Sequence, residues 1–162
     1  MIFASTRRPI ARGPYTSLST LTDEPGTAPV TQIEFSTPPA PNGYSQTASI
    51  APGSRLIWTS GQVPIAADGT PAPAGDWEAQ TRLTFQNLGA VLAAAGATWR
   101  DVVKLTYFVT DTSALAVVRA VRDEFVDTER PPASSLVQVA ALFRPDLLIE
   151  IEAVAAVEGS RS

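Results

Sequence analysis

The stretch LLIEIEAVAAV, residues 147–157, decides the fold. Ile149, Ile151, Ala153 and Ala155 fall on one side of an extended chain, and Glu150, Glu152 and Val154 fall on the other, a period of two that belongs to a strand. One face is apolar enough for a core, and two carboxylates share the opposite face. Working backwards, Pro145-Asp146 marks a short connection, and Ser134 to Leu142 forms the strand before it. Val102 to Thr110 alternates as well, with Val103, Leu105, Tyr107 and Val109 expected on one face and Lys104, Thr106 and Phe108 on the other.

Two intervening segments follow a helical period instead. Asp76 is expected to cap a helix whose apolar face is Trp77, Thr84, Leu88, Val91, Leu92 and Ala95, with Gly96 as its left-handed stop. Asp111 or Thr112 begins a second helix with Leu115, Val118, Val121 or Arg122, and Phe125 on its buried stripe, until Pro131-Pro132 ends it. Towards the N-terminus, Gln32 to Phe35 reads as a short strand, followed by a turn containing Pro38, Pro39 and Pro41 and ending at Asn42-Gly43. A hairpin is expected next, Ser45 to Ala51 against Arg55 to Val63, joined by a type II turn at Pro52-Gly53.

The resulting order, β-β-β-α-β-α-β-β, predicts an α+β protein with a mixed sheet and both helices on one face. The other face is left open, and apolar residues expected there, Leu136 and Val154 among them, predict that further copies of the chain cover it. Residues 1–29, rich in Ser, Thr, Pro, Gly and Arg, read as a flexible N-terminal extension, residues 30–158 as the folded domain and 159–162 as a tail.

Composition removes whole classes of chemistry. The 162 residues, 44% hydrophobic and 17% charged, suit one soluble core. There is no His and no Cys, which excludes a disulfide framework, a thiolate nucleophile, a Cys/His zinc site and a Ser-His-Asp relay. A net charge of −4 argues against a nucleic-acid partner, and no apolar run approaches the ~20 residues of a membrane span, so no membrane association is expected. The absence of cysteine fits a reducing compartment, and a cytoplasmic location is the expectation.

Acid-base work then falls to a carboxylate, and the Glu150/Glu152 pair is the best placed. On a solvated face it is merely the polar side of an amphipathic strand; covered by another copy, it becomes a sheltered proton carrier. Ser60-Gly61-Gln62 ends a strand and reads either as a β-bulge or as a point of close backbone approach, and Tyr44-Ser45-Gln46 is equally open.

Together these segments resemble the RidA (YjgF) family. Tyr44-Ser45-Gln46, Ser60-Gly61-Gln62 and IEIEAVA at 149–155 follow its order, supported by Gln80 to Leu88, GATWRDVVK at 96–104 and PPASSLVQV at 131–139. The resemblance runs from about Val30 to Val157. It implies a chorismate-mutase-like fold, a homotrimer with a central β-barrel, clefts between adjacent subunits, and no metal or organic cofactor. Deaminase-type members hydrolyse reactive enamines and imines to keto acids and ammonia, with an Arg holding the substrate carboxylate and a Glu directing water. That Glu matches Glu150, the cleft glycine Gly61 and the tyrosine Tyr44, but the Arg position holds Ser134.

Serine offers one neutral hydrogen bond where Arg offers a charged fork, so the usual 2-imino acid loses its anchor. Arg119 on the second helix and Arg144 before the last strand are the candidate cations to stand in for it, and Trp58, Tyr44 or Tyr107 are the expected walls of an enlarged cleft. The functional expectation is a cofactor-free trimeric enzyme acting on an imine, enamine or related electrophile, with Glu150 as the catalytic group and Tyr44, Ser60, Gly61, Ser134, Arg119 and Trp58 around the substrate. Two alternatives stand beside it: a proton-transfer catalyst for isomerisation, cyclisation or ring opening, and a non-catalytic small-molecule-binding or regulatory trimer.

Overall fold

The structure, a computed structural model, describes residues 33–36 and 42–159. The arm expected over 1–29 and the turn prolines at 38, 39 and 41 lie outside the described residues. Within them the chain forms β1 (Ile33–Phe35), β2 (Ala48–Ile50), β3 (Arg55–Trp58), α1 (Trp77–Ala94), β4 (Val102–Val109), α2 (Leu115–Arg122), β5 (Ala133–Gln138) and β6 (Ile149–Val157), in the expected order. Four strands make the main sheet in the order β3-β6-β4-β5, with β4 and β5 parallel and the other pairs antiparallel.

The alternation in residues 149–157 sets the layers. Ile149, Ile151, Ala153 and Ala155 are buried against Phe85, Leu88 and Leu92 of α1 and Val118 and Val121 of α2, so both helices cover one face. Asp76 caps α1 by accepting from the Ala79 N–H at 2.9 Å, and Gly96 follows the helix with φ +76°. Phe85, which the expected apolar stripe omitted, is fully buried, while Val91 is 36% exposed. Phe85 stacks on Phe125 at 5.1 Å and meets Trp99 at 5.6 Å, pairs worth about 0.5–1.5 kcal/mol each beyond their burial.

Four expectations are corrected. The turn at Pro52-Gly53 forms, with Ser54 N–H donating to the Ala51 carbonyl and Gly53 at φ +86°, but β2 pairs with β1 and β3 pairs with β6, so no β2–β3 hairpin exists. The short β1-β2 ribbon covers part of the open sheet face, where Ile33, Phe35 and Ala48 pack on Leu56, Val154 and Ala156. A bulge between Val102 and Lys104 sends Val103 into that second cluster, away from Leu105, Tyr107 and Val109. Leu136 pairs with Tyr107 and packs on the helix side, so it does not belong to the open face. Finally, α2 stops at Arg122, and Asp111 heads a short 3-10 turn over Thr112–Ala114 rather than the helix itself.

Gln80 couples the helical layer to the strand that decides the fold. Its buried amide accepts from Leu148 N–H at 2.8 Å and donates to the Pro73 and Asp146 carbonyls at 3.1 and 2.9 Å. Replacing it with Leu strands those three backbone groups, and a loss of about 2–3 kcal/mol is expected in urea unfolding. Among the described residues, no helix is long and apolar enough to cross a membrane.

Candidate functional site

The residues singled out from the sequence fall into two groups on opposite faces of the sheet. Glu150, on β6, pairs with Phe108 of β4 and faces away from the helices, as does Glu152 opposite Thr106. Next to it the β3 side is irregular. Thr59 N–H donates to the Ala153 carbonyl, and Gln62 exchanges both backbone hydrogen bonds with Ile151, at 2.8 and 2.9 Å. Three steps of chain between Thr59 and Gln62 thus face two on β6, the count of a β-bulge at Ser60-Gly61.

The bulge presses Gly61 against the carboxylate. A Cβ on Gly61 would overlap the Glu150 Oε1 and stand 2.7 Å from its Cδ, so only glycine fits while Glu150 keeps this rotamer. Asn87 of α1 holds the chain that follows, donating to the Val63 and Ile65 carbonyls, both at 2.8 Å. Ser60 is exposed at this bulge, and Trp58, on the same face, is 68% exposed.

The second group lies on the helix side, at the edge strand. Ser45 ties its segment to the start of β5: its N–H donates to the Pro132 carbonyl at 3.2 Å and its hydroxyl to the Pro131 carbonyl at 2.7 Å. Tyr44 is thereby held beside Ser134, which pairs with Leu105 and shares that residue's face. Tyr44, Ser134, Tyr107, Leu136, Arg119 and Arg122 are among the walls of a cleft of about 390 Å³ between β5 and α2.

Arg122 is buried in this wall by a specific fit. Its Nε donates to Asp123 at 2.8 Å, Nη2 lies 2.7 Å from the same carboxylate, and Nη1 donates to the Asn42 carbonyl at 3.2 Å. Gly43, at φ +73°, leaves the space the guanidinium fills, since a Cβ there would collide with it. Burial pushes the Tyr107 phenol above its ordinary value; Arg122 opposes that shift and Asp123 adds to it. The hydroxyl therefore stays protonated at neutral pH, and it has no hydrogen-bond partner among the described residues.

The structure thus brings Tyr44, Ser134 and Arg119 together, and sets Glu150 against Gly61 with Ser60 at the same bulge; Trp58 shares that face but pairs with Val154, four residues along β6, and within one chain the two groups do not join. Arg144 belongs to neither: both its Nε and Nη2 engage Asp146, at 3.0 and 2.6 Å, and it holds that carboxyl below the usual range. Arg122, Gln80 and Asn87 were not singled out as site residues. Their only signal in the sequence is polarity on or beside a helix stripe, which does not say what they hold. Among the described residues no group of three or more His, Cys, Asp or Glu side chains gathers as a metal site.

Residues 35–157 match the family model described as endoribonuclease L-PSP. A 2-iminobutanoate/2-iminopropanoate deaminase of Salmonella typhimurium is 41% identical over 102 residues, covering 62% of this chain and 78% of that protein. A RutC family protein of Synechocystis is 38% identical over 124 residues, covering 76% and 93%. Among solved structures, the Rid family protein YyfB of Yersinia pestis superposes with a TM-score of 0.70 at 34% identity over 78% of this chain and 98% of its own. Escherichia coli TdcF with bound serine superposes at 0.57 and 38% identity over 77% and 93%.

Proposed function

The chain belongs to the RidA (YjgF) family, and from that premise we propose that it hydrolyses an imine or enamine, without metal or organic cofactor, at a site built from two copies of itself. One copy supplies Glu150 over the Gly61 bulge, and its neighbour supplies the Tyr44–Ser134 cleft. The observation that carries this reading is the register. Ser134 lies opposite Leu105 and Glu150 opposite Phe108 on adjoining strands, so the carboxylate and the substrate cleft point to opposite sides of one sheet. A second copy seated on the open face resolves the separation, and the homotrimer implied by the resemblance is its simplest closed form. The exposed Trp58 and Val137, which share that face with Glu150, are the apolar area it would cover.

In this arrangement the Glu150 carboxylate takes a proton from water as the water oxygen bonds to the imine carbon. That proton passes to nitrogen to give a carbinolamine; the carbinolamine hydroxyl then gives its own proton through Glu150 to the nitrogen as the carbon–nitrogen bond breaks, and a ketone and ammonia leave. The relatives named for iminobutanoate and iminopropanoate support the reaction class. Ser134 sets the substrate apart, because the carboxylate of a small 2-imino acid meets no guanidinium there. The family model's ribonuclease description fits this site poorly: two carboxylates on the open face repel a phosphodiester, and no His is present to move its protons.

The test is ammonia and ketone release from imines generated in place by an amino-acid oxidase. Oxygen-18 from water should enter the product; product lacking it would instead indicate a proton-transfer catalyst, and no turnover of any imine would favour a binding module. Ser134→Arg should raise kcat/KM for 2-iminobutanoate about 10- to 100-fold by restoring a charged fork.

A further inference from the structure

We propose that Arg119 is the anion anchor of the β5–α2 cleft, with the Tyr107 hydroxyl as its second donor, and that the cleft takes a carboxylate with an apolar body larger than a three- or four-carbon 2-imino acid. This deepens the deaminase reading, which supplies the imine carbon; the binding claim stands on the cleft alone.

The two arginines of α2 differ in their commitments. Arg122 is occupied by Asp123 and the Asn42 carbonyl, so its charge is compensated inside the wall. Arg119, one turn earlier and half-buried in the same wall, has no ion pair and no side-chain hydrogen bond among the described residues. The cleft therefore carries one uncompensated positive charge beside Leu115, Val118 and Leu136. A partly desolvated guanidinium with open donors is matched by a carboxylate, which it can grip through two oxygens.

Tyr107 supplies the independent observation. Its hydroxyl is buried in a residue that lines the cleft and has no partner among the described residues, an arrangement that costs free energy until an acceptor arrives. A carboxylate oxygen bound at Arg119 is such an acceptor. Ser134 leaves vacant the width that an arginine would occupy, and a cleft of about 390 Å³ with three aliphatic walls exceeds what a short imino acid fills. The anchor has thus moved from the edge strand to the helix, and the organic part of the ligand occupies the space between.

Titration calorimetry of the full chain with phenylpyruvate, its uncharged methyl ester and 2-oxobutanoate tests this. Phenylpyruvate should bind more tightly than either comparator. Arg119→Gln should weaken it about 10- to 100-fold, Arg119→Lys should retain part of the affinity, and Tyr107→Phe should cost about 3- to 10-fold while the unfolding midpoint holds or rises. Equal affinity for wild type and Arg119→Gln, equal affinity for the acid and its ester, or no binding to wild type at millimolar concentration would overturn the proposal. Arg119-dependent binding without turnover of any imine leaves the anchor standing and removes the deaminase reading. Turnover whose KM is indifferent to Arg119→Gln does the reverse.

Discussion

Glu150→Gln should lower imine turnover about 100- to 10,000-fold while leaving ligand binding and the unfolding midpoint almost unchanged. Glutamine keeps the shape of the side chain against Gly61 but has no basic oxygen to take the proton from water. With no His or Cys in the chain, the remaining proton carriers near the bulge are Glu152, whose Cα partner is Thr106 two positions along the ladder, and backbone groups. Because Glu150 is half-buried and makes no ion pair among the described residues, its neutral replacement breaks no folded-state charge pair. The comparison is made by steady-state kinetics beside a urea titration; parallel loss of activity and stability would show that Glu150 acts only through the fold.

Gly61→Ala should produce the second large effect, about a 100-fold loss of turnover from displacement of the carboxylate. The added methyl group occupies the place of the Glu150 side chain, 2.7 Å from its Cδ, so the glutamate must leave its rotamer. Glu150 is only half-buried and can swing aside, which keeps the stability cost near the lower end of the ~1–3 kcal/mol typical of overpacking. The Glu150 Cγ lies 2.9 Å from the same point, so shortening the side chain in Gly61→Ala/Glu150→Asp leaves an overlap and should not restore kcat. Unchanged kcat in a folded Gly61→Ala variant would mean that the bulge serves some purpose other than seating the carboxylate.

Local patterns in the sequence carried the elements, and long-range register decided the rest. The period of two in 149–157 correctly placed four apolar residues in the core and two glutamates outside it, because a strand buried on one face leaves no alternative. Asp76 and Gly96 likewise marked the limits of α1 through local backbone chemistry. Pro52-Gly53 also formed its turn, yet a turn fixes only its own residues; β2 went to β1 because the ribbon buries Ile33, Phe35 and Ala48 on the open face. Phe85 escaped the helical reading since Leu83 to Phe85 offers apolar residues on more than one side, and only the position of Trp99 and Phe125 selects between them.

The candidate site was legible as a set of residues but not as an arrangement. Gly61 and Glu150 do meet, across an extra residue that no alternation pattern shows. Ser134 and Glu150 were expected to share a cleft between adjacent subunits, and the β4–β5 and β4–β6 registers place them on different faces of one chain. Parallel pairing between β4 and β5 sets that parity, and nothing in either strand's own sequence specifies it. The ambiguity between Val121 and Arg122 resolves as both: Val121 enters the core, and Arg122 is buried because Asp123, Asn42 and the missing Cβ of Gly43 receive it.

The claim that two copies build one active centre is tested most directly by subunit mixing. Chains carrying Glu150→Gln are co-produced with chains carrying Tyr44→Ala/Arg119→Ala, each under its own affinity tag, and the doubly tagged assembly is assayed for imine hydrolysis. Each parent is nearly inactive alone. A shared site predicts that a mixed trimer regains activity in about one of its three sites, where an intact Glu150 meets an intact cleft from the neighbour. No recovery in a doubly tagged assembly, or full activity in a wild-type monomer, would contradict it.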